Sequence, residues 1–180
     1  MRAMTRILDQ IREALAAFAG GKEDPALIGG LALAAHRVIR ATQDVDFLVD
    51  AEDADRLHDV IIGLGYSCIH RSDDVANYVR GDEGLDLLYA HRPVARSLLA
   101  QAEERETTMG RLRVISVEGL IAFKLQAHVN DPSRGRDIDD IRALLTANAG
   151  SVDLDELRQY FQLFDREGLL DELLAEAGRS

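Results

Sequence analysis

The spacing of hydrophobic positions changes along the chain and divides it into a mixed first part and a helical second part. Residues 4–19 repeat apolar side chains at the three- and four-residue intervals of an amphipathic helix. Short apolar runs between glycines or polar turns come next, and such runs predict strands. Helical spacing returns at residue 116 and continues to the end. We therefore expect a core over residues 1–115 and a helical region over residues 116–180 that packs on it.

The predicted elements before residue 116 include both helices and strands. The helices are expected over residues 4–19, 31–38, 52–63 and 93–104. The strands are expected over residues 26–28, 43–50, 66–70, 75–80 and 85–89, with a hairpin or bent strand over 107–115. This order predicts a first part in which helices and strands are mixed.

The second part contains four predicted helices, over residues 117–129, 136–147, 153–165 and 167–177. Ser116 is suited to cap the first of them, since a serine hydroxyl accepts a bond from a free amide of the first turn. Asp153 with Glu156 three residues later resembles a capping box at the start of the third.

Length and composition are those of one globular domain with a sizeable core. The chain has 180 residues, of which 47% are hydrophobic and 29% charged, and this balance excludes a disordered protein. No apolar run approaches the roughly 20 residues that a membrane-spanning helix needs, so we expect no membrane partner. The single cysteine, Cys68, excludes an internal disulfide and favours a cytoplasmic location.

The net charge of -11 argues against non-specific nucleic-acid binding, because phosphate contacts come mainly from lysine and arginine. The acidic excess is concentrated in residues 151–180, which contain eight acids and three bases. An RNA acceptor is therefore not favoured by charge.

Three aspartates carry the candidate chemistry. Asp44 and Asp46 are two residues apart in a predicted strand, so their side chains lie on the same face. Two like charges among apolar neighbours repel each other, and a divalent cation is the simplest group that would keep both ionised. Asp86, the third carboxylate, is embedded in another apolar run, residues 85–89. The ordinary alternative is that all three acids are solvated.

A glycine pair precedes these acids. Gly29 and Gly30 separate a predicted strand from a predicted helix, an arrangement that leaves backbone amides free to hold a phosphate. Most Gly-Gly pairs are only turns. Followed fourteen residues later by two aligned carboxylates, the pair favours a phosphate cradle beside a metal site.

The stretch from Gly29 to Phe47 resembles the core motif of the nucleotidyltransferase superfamily. The resemblance is closest to the branch of the AbiEii/AbiGii abortive-infection toxins, in which a glycine pair precedes a helix and an Arg-x-Ser/Thr-x-Asp-x-Asp segment follows. Arg40, Thr42, Asp44 and Asp46 match that segment.

The helical part resembles the same family. Lys124 lies among apolar neighbours in a predicted helix, where the ordinary interpretation is that its ammonium reaches outward to water. The Arg136-Asp137 pair and Asp140 open the next helix, where acids ordinarily stabilise the first turn. A helix with a lysine followed by Arg-Asp-x-x-Asp is the family pattern, and the resemblance covers residues 26–147.

The resemblance implies an α+β nucleotidyltransferase fold, in which a short mixed sheet is flanked by helices and a helical C-terminal extension follows. It also implies an enzyme that transfers a nucleoside monophosphate from an NTP to a hydroxyl acceptor and releases pyrophosphate. It implies Mg²⁺ or Mn²⁺ as cofactor, with Asp44, Asp46 and Asp86 as ligands. Asp86 would also draw the acceptor proton, and Lys124 would neutralise the β- and γ-phosphates. Nucleotide-binding roles are implied for Gly29, Gly30, Arg40, Thr42, Lys124, Arg136 and Asp137.

Two alternatives stay open. One is a weakly active or non-catalytic relative that serves as a partner protein in a toxin–antitoxin pair. The other is a modifier of a small molecule, of the kind that adenylylates an aminoglycoside, for which the acidic surface would suit a cationic substrate. The acceptor is therefore tRNA, a protein or a small molecule.

Overall fold

The computed structural model describes residues 2–178, with side chains from residue 6 onward. The chain is divided into two units. The first contains residues 1–32 and 40–115, and the second contains residues 33–39 and 116–180. The division after residue 115 falls where the hydrophobic spacing changes, while residues 33–39 belong with the helical unit. The catalytic and packing functions given to the two parts stay predictions.

The first unit contains the strands. Its helices are α1 (Arg2–Phe18), the start of α2 (Gly29–Ala35), α3 (Ala54–Gly63) and α4 (Pro93–Ala100), with a 3₁₀ turn at Ala51–Asp53. Its strands are β1 (Ala26–Leu27), β2 (Asp44–Asp50), β3 (Ser67–Arg71), β4 (Val75–Arg80), β5 (Glu83–Ala90), β6 (Glu103–Thr107) and β7 (Gly110–Val114).

These strands form one mixed sheet in the order β3-β4-β5-β2-β1-β7-β6. The central pair, β2 and β5, is parallel, and β1 pairs antiparallel with β2 and parallel with β7. The remaining neighbours are antiparallel. The predicted α+β fold, a mixed sheet flanked by helices, is thus confirmed.

One face of the sheet carries apolar side chains that are covered by α1 and α3. Phe18 from α1 packs edge-on against Phe47 of β2, with the ring centroids 5.5 Å apart. His58 from α3 lies 3.1 Å from the hydroxyl of Tyr78 on β4. Because side chains alternate along a strand, the residues directly before and after Phe47 on β2, and directly before and after Tyr78 on β4, lie on the opposite face of the sheet.

The helix predicted over residues 93–104 is too long. It ends at Ala100, and Glu103–Thr107 forms the edge strand β6, which pairs antiparallel with β7. A charged segment can be an edge strand because only one of its sides is paired, and charges there prevent edge-to-edge association. Gly110 closes the turn with a φ of +103°, a conformation that favours glycine.

The second unit contains four further helices: α5 (Val117–Asn130), α6 (Gly135–Ala147), α7 (Leu154–Leu163) and α8 (Glu167–Ala177). The predicted caps are present. Ser116 accepts a bond from the amide of Gly119, and Asp153 accepts bonds from two amides of the first turn of α7. No helix in the described part of the chain is long and apolar enough to cross a bilayer.

Candidate active site

The strand register places the three candidate carboxylates on one face of the sheet. Asp46 and Asp86 are direct partners across the parallel β2–β5 pair, and Asp44 lies two residues before Asp46 on the same strand. All three side chains therefore leave the face opposite the one that α1 and α3 cover. They differ in accessibility, since Asp44 is exposed and the other two are half-buried.

The glycine pair lies directly against this face. A Cβ at Gly29 would be 2.8 Å from the Cβ of Asp46 and would overlap its carboxylate. A Cβ at Gly30 would be 2.8 Å from the Cβ of Thr42. Gly29 also has a φ of +64°, which favours glycine. The Gly-Gly pair is therefore needed to let α2 begin beside these side chains, a requirement that the sequence alone did not show.

Asn77 is a residue of this face that the sequence analysis missed. It is the direct partner of Asp86 on the antiparallel strand β4. Burial and the nearby charge of Asp44 raise the pKa of Asp86, and the neighbouring Asn77 side chain offsets only part of this rise. The available signal was an asparagine inside a strand, where asparagine is disfavoured.

The donor set suits a metal that arrives with a nucleotide. Among residues 6–178, no group of three or more His, Cys, Asp or Glu side chains is arranged to hold a metal ion. Magnesium usually takes one or two carboxylates and completes its octahedron with water and substrate phosphates. Asp44 and Asp46 fit that requirement, because they are adjacent on one face of one strand. The role of Asp86 as a third ligand stays a prediction.

Thr42 and Arg40 precede β2 in the same unit. The hydroxyl of Thr42 donates to the backbone oxygen of Asp44 at 3.4 Å, which places Thr42 at the start of the strand that carries both aspartates. Arg40 is half-exposed. The nucleotide-binding roles predicted for them stay predictions.

The second unit holds a charge cluster of three buried side chains, Lys124, Asp137 and Asp140, together with the exposed Arg134. The side chain of Lys124 is only 11% exposed, and its Nζ lies 3.0 Å from Asp137 and 2.8 Å from Asp140. The ammonium therefore does not extend into water, as the ordinary interpretation of its sequence position required. It reaches buried anions, and those anions are two carboxylates of the next helix.

Arg134 is the other cation of this cluster. Its side chain is exposed, but its Nε lies 2.6 Å from Asp137. The predicted Arg136 is exposed as well and is not a member of the cluster. Burial alone would raise the pKa of Asp137, but bonds from Arg134 and Lys124 outweigh it and the pKa is lowered. The sequence signal for Arg134 was its position three residues before Asp137, a spacing at which helical side chains meet.

Several solved structures superimpose on most of this chain, among them an antibiotic-resistance factor and an antibiotic adenylyltransferase. The antibiotic-resistance factor ANT(2'')-Ia superimposes with a TM-score of 0.69 at 20% identity, over 93% of this chain and 96% of that chain. A structure of ANT(2'')-Ia in complex with adenylyl-2''-tobramycin gives a TM-score of 0.68 at 21% identity, over 89% of this chain and 97% of that chain.

Two other similar structures come from different proteins. The lincosamide antibiotic adenylyltransferase LnuA, with lincomycin bound, gives a TM-score of 0.53 at 15% identity, over 79% of this chain and 94% of that one. An antigenic nucleotidyltransferase-like protein from Paracoccidioides brasiliensis gives 0.56 at 18% identity, over 97% and 93% of the two chains. No protein-family model and no curated protein sequence matches the chain.

These similarities identify the fold. The first unit with its mixed sheet, followed by the helical unit, has the nucleotidyltransferase fold that was expected from the sequence. At identities of 15–21% the likeness concerns the fold, and the activity is argued separately below. The finer resemblance to the AbiEii/AbiGii branch stays a prediction.

Proposed function

We propose that this protein transfers a nucleoside monophosphate from an NTP to a hydroxyl acceptor and releases pyrophosphate. The observation that carries the proposal is the carboxylate face, which we define as Asp44, Asp46 and Asp86, lying beside the glycine turn at the start of α2. The fold shared with the antibiotic-resistance factor ANT(2'')-Ia and the lincosamide antibiotic adenylyltransferase LnuA supports it.

Asp44 and Asp46 would bind Mg²⁺ or Mn²⁺ together with the triphosphate. The bound metal would stabilise charge on the attacking and leaving oxygens of an in-line displacement. The backbone amides of Gly29 and Gly30 would hold phosphate oxygens, as amides at the start of a helix commonly do. Arg40 would add a positive charge beside the nucleotide.

Asp86 would take the proton from the acceptor hydroxyl. A general base works best when its pKa lies closer to the working pH than that of an ordinary carboxylate. Burial and the charge of Asp44 change the pKa of Asp86 in that direction. The amide of Asn77 would hold the carboxylate in a fixed orientation during the transfer.

The roles of Lys124, Arg136 and Asp137 in binding the nucleotide are proposed from the sequence resemblance. In the second unit the charge of Lys124 is balanced by Asp137 and Asp140. For Lys124 to neutralise the β- and γ-phosphates, one of these ion pairs must open. This role would be supported if Lys124→Met lowered the affinity for the triphosphate and left the affinity for the monophosphate unchanged.

For the acceptor, we propose a small hydroxylated molecule with positive charge. The net charge of -11 suits a cationic acceptor and disfavours RNA. One similar structure holds an adenylylated aminoglycoside, and another holds a lincosamide. The alternative is that the chain is a weakly active or non-catalytic member of a toxin–antitoxin pair, which the sequence resemblance to AbiEii/AbiGii favours.

Transfer of label from each NTP tests the proposal. The purified protein is incubated with Mg²⁺, an NTP labelled in the α-phosphate, and tobramycin, lincomycin, tRNA or a cell extract. We expect pyrophosphate release and label on a small acceptor, both lost in Asp86→Asn. Label on tRNA or protein would overturn the small-acceptor proposal, and no transfer to any acceptor would favour the non-catalytic alternative.

A further inference from the structure

The position next to Asp44 on the neighbouring strand is a glycine, Gly84. We propose that Gly84 is a positioning residue, whose missing side chain leaves the space in which the Asp44 carboxylate is held for binding the metal and nucleotide. This inference rests on the proposed function, because it assumes that Asp44 is a ligand of the metal.

The contact between Gly84 and Asp44 is direct. The two residues are partners across the β2–β5 pair. A Cβ added at Gly84 would overlap the Oδ1 of Asp44, and would lie 2.9 Å from its Cγ and 3.3 Å from its Cβ. Glycine weakens the interior of a strand, and its presence often marks a place where another group approaches closely. Here the group that approaches is the candidate ligand itself.

Gly84 is held in place from the other face of the sheet. Gln10 of α1 is 2% exposed, and its Nε2 donates to the backbone oxygen of Gly84 at 2.8 Å. Gly84 is also paired on its second side with Val79 of β4. With the backbone fixed by two strands and a helix, an added Cβ would move the Asp44 side chain and leave the strand where it is.

This geometry makes Gly84→Ala an informative variant. The atoms that it would displace are at the end of the exposed Asp44 side chain, which can rotate away while the fold persists. Gly63 provides the matched control, because it is exposed at the end of α3 and a Cβ there would meet nothing within 4 Å. Gly29 makes a similar contact with Asp46, but its positive φ would add backbone strain to any substitution.

The experiment measures binding of a non-hydrolysable ATP analogue at increasing Mn²⁺ concentration, by calorimetry, with urea unfolding in parallel. We expect Gly84→Ala to bind the analogue more weakly by about tenfold or more at low Mn²⁺, which corresponds to about 1.4 kcal/mol. High Mn²⁺ should restore part of the binding, since the displaced ligand weakens the metal site. The urea midpoint of neither variant should fall below that of the wild type, because alanine stabilises helix and strand interiors relative to glycine. Gly63→Ala should bind the analogue as the wild type does.

Each other outcome has a definite meaning. Unchanged binding by Gly84→Ala, with normal binding by the wild type, overturns this inference and leaves the proposed function intact. A collapsed urea midpoint, or lost binding that Mn²⁺ does not restore, would show that Gly84 has only a structural role and also overturns it. Absence of metal-dependent binding in the wild type overturns the proposed function and this inference together.

Discussion

Lys124 shows how a side chain acquires partners that its own sequence position does not reveal. The sequence offered an ammonium that reaches solvent or one that reaches the triphosphate. In the structure it lies between Asp137 and Asp140, and Asp137 is also held by Arg134. The pairing depends on the packing of α5 against α6, which hydrophobic spacing along one helix does not specify.

Replacing Lys124 by methionine should destabilise the protein strongly. The substitution keeps an apolar chain of similar length but leaves two buried carboxylates without their shared cation. Removing one partner of a buried ion pair typically costs about 3–5 kcal/mol of the free energy of unfolding. Urea unfolding of Lys124→Met measures this.

Lys22, the other lysine of the chain, supplies the control. Its ammonium pairs with Glu52 at 2.5 Å, and both side chains are more than half exposed. Lys22→Met should therefore change stability by no more than about 0.5 kcal/mol, as most surface substitutions do. Equal effects of the two substitutions would show that the ion pairs of Lys124 contribute no more than exposed ones.

Asp86 should make the stability of the folded protein depend on pH. Its pKa in the folded protein is raised, chiefly by burial, so the folded state holds the proton more tightly than the unfolded state. Stability from this group is thus lost as the pH rises from the ordinary aspartate pKa of about 3.9 through the raised value. Asp86→Asn, which stays neutral, should be more stable than the wild type at pH 7.

The measurement is the free energy of unfolding of both proteins, without metal, from pH 7 to pH 4. The advantage of Asp86→Asn should shrink as the pH falls, because the wild-type carboxyl then becomes neutral too. An advantage that does not change with pH, or a less stable variant at pH 7, would contradict the sign of the pKa shift.

The helices and strands that the sequence predicted correctly are those that depend on contacts between residues close together in the chain. β2 and the caps at Ser116 and Asp153 follow from alternation and capping chemistry, and they are present. β6 was missed because its charged residues carry no strand pattern, and it is a strand only by pairing with β7. Asn77 was missed because its function depends on which strand lies beside β5.

Asn148 joins distant parts of the helical unit, so its replacement should destabilise the protein. Its buried amide donates to the backbone oxygen of His36 at 3.0 Å and to that of Leu144 at 2.9 Å. Asn148→Ala removes the donor and leaves the His36 oxygen without this bond. Loss of a partner to a buried polar group costs about 1–3 kcal/mol.

Thermal and urea unfolding of Asn148→Ala check this value. Asn130→Ala is the control, because Asn130 is exposed at the end of α5. A loss confined to Asn148→Ala is expected. If the two variants are equally stable, residues 33–39 are held in the second unit by apolar contacts and not by this amide.

For the whole molecule, alternation along β2 was enough to place Asp44 and Asp46 on one face, whereas the nucleotidyltransferase fold and the role of Asp86 were predicted from the family resemblance. The order of the strands was not predicted, since it depends on pairing between distant segments such as β1 with β7. Composition limits the choice of acceptor molecule only through the net charge of the protein. A net charge of -11 disfavours a polyanion and suits a cation, but it does not specify the shape of the molecule that is bound.

Calorimetry of the Asp44→Asn/Asp46→Asn double variant tests whether Asp44 and Asp46 bind a metal together with a nucleotide. The wild type should bind a non-hydrolysable ATP analogue with Mg²⁺ and much more weakly without it. The double variant should lose this metal-dependent binding by about a hundredfold, or about 2.7 kcal/mol, at unchanged or higher stability without metal. If the double variant binds as tightly as the wild type, with the same dependence on Mg²⁺, Asp44 and Asp46 are not the ligands of the metal.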